Sequence, residues 1–237
     1  MFDEPRLAEL YDAFDSDRSD LDVYAALVDE LGAESILDIG CGTGTFACLL
    51  ARSGKTLVAV DPAEAMLRVA RAKPGAERVR WVLADAPSLS GVTVDLVTMT
   101  GNVAQVFLTD QDWNATLEAA RRALRPRGTL VFETRDPGRE AWKEWTKDQS
   151  YERLELPGVG VVETWNEVTD VSLPLVSFRS TTRFHADGAV LTSHSTLRFR
   201  SKDEVVRSLE AAGFALREIR DAADRPGREH VYLARLS

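Results

Sequence analysis

Long apolar runs are missing from this sequence of 237 residues. The longest spans only a few residues, so no transmembrane helix and no membrane partner are expected. Met1-Phe2-Asp3-Glu4 lacks the basic and apolar regions of a signal peptide. Only two cysteines are present, Cys41 and Cys48. On a shared helix they would stand about 10 Å apart along the axis, too far for a disulfide. A reducing, cytoplasmic setting is the simplest expectation. The three histidines, His185, His194 and His230, show no metal-ligand spacing, and no metal is expected. An excess of basic residues is missing as well. The net charge is −9, and residues 1–34 carry all of it, with eleven acids against two bases. Phosphate binding needs clustered Lys and Arg, so a nucleic-acid partner is disfavoured. An acidic face that keeps the chain soluble accounts for the imbalance. There is no internal repeat and no low-complexity tract. What remains is an ordinary globular composition, long enough for one sizeable core, or for one core carrying an embedded insertion.

The first two-thirds alternates short β-type runs with helical patterns. Residues 20–31 predict a helix with Asp20 as its cap. A strand is expected over 35–39, then a helix over 45–53 closed by Gly54. A strand over 56–60 precedes a helix to about Ala72, with Pro62 at its first position. Further strands are expected over 78–83, 94–99 and 129–134, with a helix over 110–124 ended by Pro126 and Gly128. This alternation predicts a parallel sheet covered on both faces. Residues 153–200 show no helical period and read as antiparallel strands, with a hairpin signal at Asp187-Gly188. A helix over 202–212, with Ser201 and Glu204 at capping-box spacing, and two strands over 214–220 and 230–236 end the chain.

The chemistry-bearing stretch is Leu37-Asp38-Ile39-Gly40-Cys41-Gly42-Thr43-Gly44-Thr45. Three alternate glycines leave a strand and enter a helix. Missing side chains let backbone approach a ligand, and the helix start offers free N–H groups. A dinucleotide fingerprint, G-x-G-x-x-G, would need glycine at 45, where Thr45 stands. Asp61 ends the second strand, placed to accept hydrogen bonds from ribose hydroxyls. Asp85 follows the third strand and could accept from an adenine amine. Each acid alone reads as a loop or cap residue. Three strand-end acids in register with one glycine loop point to a nucleoside-type ligand.

These residues resemble the class I S-adenosylmethionine-dependent methyltransferases. Residues 37–44 match that family's first motif at every position. Val60-Asp61 is similar to its ribose-binding acid, and Asp85-Ala86 to its adenine-binding pair. Asp95-Leu96-Val97 resembles its fourth strand, and Leu124-Arg125-Pro126-Arg127-Gly128 the entry to its fifth. The resemblance covers about residues 20–135 and the last thirty-five. It implies an α/β fold, a Rossmann-like doubly wound seven-stranded sheet with the last strand antiparallel. It also implies S-adenosylmethionine as cofactor, with S-adenosylhomocysteine as product. Residues implied to touch the cofactor are Tyr11, Asp38, Gly40, Cys41, Gly42, Thr43, Gly44, Asp61, Pro62, Met66, Asp85, Ala86, Thr100, Gly101 and Asn102. Tyr11 could equally be a packing residue. Arg18 could pair with the cofactor's carboxylate or lie in solvent.

The substrate is less legible. The fourth strand lacks an Asn-Pro-Pro or Asp-Pro-Pro ending, and no Pro-Cys nucleophile exists. Resemblance to the nucleic-acid branches therefore fails. Residues 1–150 and 201–237 are expected to form the cofactor domain, and 151–200 an inserted antiparallel β cap over the substrate. A two-residue turn at Asp187-Gly188 would pair Phe184 with Leu191, Thr182 with Ser193, Ser180 with Ser195 and Phe178 with Leu197. One face would be apolar with a hydroxyl-rich middle, and the other basic. A half-buried sheet with a solvated basic face is the simpler explanation of this pattern. Arg135, Trp142 and Arg183 are candidate substrate contacts, and His194 the candidate general base. The expected activity is direct in-line methyl transfer to an N or O atom of a small molecule. The alternatives are a non-catalytic S-adenosylmethionine-binding regulator and an NAD(P)-dependent oxidoreductase. The oligomeric state stays open, a homodimer included.

Overall fold

The computed structural model describes residues 3–14 and 17–236. Five parallel strands form its centre: β1 (Ser35–Ile39), β2 (Thr56–Asp61), β3 (Val79–Leu83), β4 (Val94–Met99) and β5 (Leu124–Arg135). They alternate with α3 (Thr45–Arg52), α4 (Glu64–Arg71) and α5 (Asp110–Ala123), preceded by α1 (Pro5–Phe14) and α2 (Asp20–Glu30). After the insertion come α7 (Lys202–Ala211), β10 (Phe214–Asp221) and β11 (Glu229–Leu236). The seven strands run in the order β10-β11-β5-β4-β1-β2-β3, with β11 antiparallel to both neighbours.

Burial on both faces explains why these strands read as continuous apolar runs. Successive residues of β5 divide between two cores. Leu130 and Phe132 pack with Trp113, Leu117, Leu209 and Tyr232 on one side. Val131, between them, packs with Leu21, Ile36, Phe46 and Leu57 on the other. The Phe132 and Tyr232 rings stack at 5.1 Å, and Trp113 meets Phe132 edge-on at 5.4 Å. The Ser201–Glu204 capping box forms as the spacing predicts.

The insertion is a separate four-stranded antiparallel sheet: β6 (Glu152–Leu156), β7 (Gly160–Ser172), β8 (Leu175–Phe184) and β9 (Val190–Arg198), in that order. It leaves after β5, through two short 3₁₀ turns and α6 (Lys147–Ser150), and returns at α7. Its inner face carries apolar residues at both ends. At one end Phe184 and Val162 pack on Leu10 of α1. At the other, Val176 packs with Trp142 and Phe199. No described helix is long and apolar enough to cross a membrane.

Four expectations need correction. Asp20 is the first residue of α2 and not its cap, a position that Ser19 holds. Pro62 is not the first residue of a helix: α4 starts at Glu64. The Asp61 carboxylate accepts the Ala63 N–H at 2.8 Å and holds a turn there. Strand β5 begins at Leu124, five residues before the expected Thr129, because an irregularity against β4 lets pairing resume on both sides of Arg125–Gly128. The β8–β9 register is shifted by two. Thr182 faces Leu191 and Ser180 faces Ser193. The loop is wider than a two-residue turn, with Ala189 N–H donating to Asp187 and Phe184 N–H to the Ala189 carbonyl. A shift of two preserves side-chain parity, so both faces keep their expected residues.

Candidate active site

The glycine loop leaves β1 with Gly40, Gly42 and Gly44 all at positive φ. Gly40 and Cys41 both donate to the Val60 carbonyl, tying the loop to the end of β2. A Cβ on Gly40 would lie 2.7 Å from both γ-carbons of Val103. One on Gly44 would collide with the Trp81 ring at 2.4 Å. Gly44 is thus required by helix–sheet packing.

These strand ends open a cleft of about 350 Å³, within the range of small-molecule sites, roughly 300–1,000 Å³. Tyr11, Asp38, Gly40, Cys41, Gly42, Thr43, Asp61, Pro62, Met66, Asp85, Ala86, Thr100 and Gly101 line it. Two sequence candidates stand outside its lining: Gly44, against Trp81, and Asn102, whose side chain is buried beneath the rim. Arg18 also borders the cleft. So do Val103, Val106 and Phe107, which the sequence reading missed.

The acids differ in their surroundings. Asp38 is fully buried and accepts from Thr98 Oγ1 at 2.9 Å. Burial pushes its carboxyl up to about 7, against the opposing effect of that bond. Asp61 uses one oxygen for Ala63 N–H and the other for Gly42 N–H at 2.9 Å. Burial raises it as well, and these two bonds oppose the rise. Two of its roughly four acceptor positions remain for a ligand. Asp85 caps a 3₁₀ turn through Ser88 at Oδ1. Burial raises the Cys41 thiol well above its ordinary range, which disfavours the thiolate that a nucleophile needs.

Helix α1 closes the cleft from the side. Tyr11 packs near Ala63, Ala65 and Met66. Asp12 fastens this helix to the loop: it accepts from Thr43 Oγ1 at 2.6 Å and pairs with Lys73 at 2.6 Å. Lys73 also donates to Thr45 Oγ1 at 2.7 Å.

A buried polar network lies under the rim. Glu133 accepts from the Asn102 N–H and from the Tyr24 hydroxyl, the latter at 2.8 Å. Asn102 Nδ2 donates to Glu229 at 3.0 Å. Burial pushes Glu133 up to about 7. Arg135 donates to Gln105 at 3.0 Å, with its Nε 3.7 Å from Glu229 and its guanidinium 5.8 Å from the Trp145 ring centre. It therefore stands between the cofactor rim and the cap. Glu133 has a sequence signal in retrospect: a lone acid directly follows the apolar run Leu130–Phe132 within one strand.

The remaining substrate candidates part company with the cleft. Trp142 is buried edge-to-face on Phe199 at 4.7 Å, a packing role. Arg183 and His194 lie on the outer, exposed face of the cap, and Arg183 pairs there with Glu163 at 3.6 Å. The inner face instead presents Thr164, Asn166, Ser180, Thr182 and Ser193. Ser180 donates to Asn166 at 2.5 Å, while the buried Ser193 hydroxyl has no partner among the described residues.

Residues 36–128 match the family described as a methyltransferase domain. That stretch, less than half of the chain, holds the glycine loop, Asp61 and Asp85. It is 36% identical over 105 residues to demethylmenaquinone methyltransferase from Clavibacter sepedonicus, covering 43% of this chain and 41% of that protein. The chain spans less than two thirds of the length of the curated relatives it matches. Similar folds include an S-adenosylmethionine-dependent methyltransferase from Clostridium acetobutylicum ATCC 824, with TM-score 0.77, 18% identity and 98% of each chain covered. The sugar N-methyltransferase KedS8 from Streptoalloteichus sp ATCC 53650 gives TM-score 0.77 at 19% identity, covering 94% of this chain and 92% of that one. The residues of the cleft fit S-adenosylmethionine. Asp61 keeps acceptor capacity, Asp85 keeps one carboxylate oxygen without a partner among the described residues, and Gly40 leaves no side chain in the way.

Proposed function

We propose that the chain binds S-adenosylmethionine in this cleft and directs its methyl group to an N or O atom of a small polar molecule beneath the cap. When bound, the cofactor supplies an activated methyl on a sulfonium. Asp61 and Asp85 would hold its ribose and adenine, the glycine-loop backbone would approach its amino-acid portion, and Asp38 lies beneath that loop. Thr100 and Gly101 would border the methyl group. The chain's main task is then alignment, which can supply roughly 7–11 kcal/mol of the barrier. A base is needed only for a nucleophile that arrives protonated. On the outer face of the cap, His194 is not placed to serve as one.

The observation that carries the polar-substrate reading is the inner face of the cap. Its buried hydroxyl row, with Ser193 unpartnered, suits a ligand that offers hydrogen bonds. Arg135 borders the same side. Likeness in fold to a sugar N-methyltransferase favours nitrogen as the first acceptor to try. The test incubates the chain and S-adenosylmethionine with panels of amino sugars, other amines and phenols. S-adenosylhomocysteine and a methylated product should appear together by mass spectrometry. Transfer confined to a peptide or nucleic acid would overturn the small-molecule reading.

A further inference from the structure

The segment after β4 forms one wall of the cleft through Val103, Val106 and Phe107. Val103 also covers Gly40. Yet between Thr100 and Thr109 the backbone has only one 3₁₀ turn of its own, Val103–Gln105. Its carbonyls are satisfied from elsewhere. Arg200, on the return from the cap and only 4% exposed, donates to the carbonyls of Ala104 at 3.2 Å, Phe107 at 2.7 Å and Thr109 at 3.3 Å. Its guanidinium lies 5.1 Å from the Trp113 ring centre. Among the described residues no carboxylate lies within ion-pair distance of it, and burial pushes its pKa down to about 10. Two residues earlier, Arg198 donates to the Leu108 carbonyl at 3.1 Å and pairs with Asp110 at 2.8 Å.

A buried cation without a carboxylate is costly to desolvate. Here it answers three carbonyls from a single irregular segment, and a planar guanidinium with five donors can do so at once. We propose that Arg200 is a positioning residue of the cofactor site. It fixes the Val103–Phe107 wall against the glycine loop from the end of the inserted sheet. The cap is then not a detachable lid, because its return segment sets the shape of the cofactor cleft. Removing residues 151–200 would remove Arg198 and Arg200 and damage cofactor binding along with substrate binding.

This inference rests on the cofactor reading above, and the test separates the two. The full chain, R200A and R200K are titrated with S-adenosylhomocysteine by calorimetry, each well below its own thermal midpoint. Amide hydrogen exchange over residues 103–109 is followed in parallel. R200A should bind at least tenfold more weakly, with faster exchange confined to that wall. R200K should recover part of the affinity, since an ammonium can reach some of the carbonyls. If R200A does not fold, R200K carries the test with an expected loss of about threefold. A purely structural role would lower the thermal midpoint and leave the affinity of the folded variants within twofold of wild type; that result overturns the inference. A wild-type chain that does not bind S-adenosylhomocysteine overturns the cofactor reading itself.

Discussion

The two sheets of this molecule bury polarity in opposite ways. The seven-stranded sheet takes ionisable groups inside: Asp38, Asp61 and Glu133 all have carboxyls raised by burial. The four-stranded sheet keeps its carboxylates outside. Glu163, Glu167 and Asp187 are held low by hydrogen bonds from Tyr151, Arg179 and the Ala189 N–H. What the cap buries is neutral: Ser180, Thr182 and Ser193. Buried charge fixes a geometry at an energetic cost. Buried hydroxyls cost less and turn to suit what they meet. On the function proposed above, one sheet suits an unchanging ligand and the other an acceptor that varies by chemistry.

pH should separate the two sheets most strongly. The ordinary values for Asp38 and Glu133 are 3.8 and 4.5, and in the fold both rise to about 7. Between roughly pH 4.5 and 7 the folded chain holds protons that the unfolded chain has released, so stability falls as pH rises through that window. The combined effect is on the order of several kcal/mol, at about 1.4 kcal/mol per unit. Urea titrations at pH 5 and pH 8 should place the midpoint lower at pH 8. E133Q should shrink that difference. Equal midpoints for wild type at the two pH values would show that these acids are not the strained element. The cap's lowered carboxylates act in the other direction, losing their contribution only as pH falls below about 4.

The next effect is on affinity. D61A removes the acceptor that holds Gly42 and Ala63 and, on our reading, the ribose. Losing two hydrogen bonds to a charged group, at roughly 1.5–3 kcal/mol each, should weaken S-adenosylhomocysteine binding by about 100-fold or more. An affinity within threefold of wild type would remove Asp61 from the site.

Gly40 tests the contact between the loop and the cleft wall. G40A places a methyl 2.7 Å from both Val103 γ-carbons, at a φ of 71°. Overpacking and the left-handed conformation should together cost roughly 2–4 kcal/mol, seen as a lower thermal midpoint. Adding V103A should restore the packing share and leave the backbone share. Additive losses would mean that Val103 does not seat on Gly40.

Legibility followed the same division. Apart from the early start of β5, the strands of the large sheet were readable to within a residue, because burial on both faces writes unbroken apolar runs. The cleft-lining acids Asp38, Asp61 and Asp85 sit at strand ends, where a short motif exposes them. The Pro62 helix start was missed because the Asp61 side chain builds a turn that propensity does not show. The cap's faces were readable from alternation, yet its register was not, since a four-residue loop and a two-residue turn preserve the same parity. Least legible were Glu133, Glu229 and Arg200. Their partners lie 31, 127 and more than 90 residues away, and no local pattern announces such a bond.

The smallest expected effect is also the sharpest test of the cap, because it compares neighbours. Ser193 and His194 are adjacent on β9, and strand alternation puts them on opposite faces. Ser193 is buried with an unpartnered hydroxyl, and His194 is exposed. S193A removes a hydroxyl that has no protein partner, so stability should hold or rise slightly. If that hydroxyl bonds the acceptor, KM should increase about 2–10-fold, the worth of one neutral hydrogen bond at roughly 0.5–1.5 kcal/mol. H194A should leave KM, kcat and the thermal midpoint near wild type, as exposed substitutions usually do. The reverse outcome, with H194A lowering kcat and S193A silent, would turn the cap over. Its basic face would then meet the substrate, and the hydroxyl row would be only a packed interior.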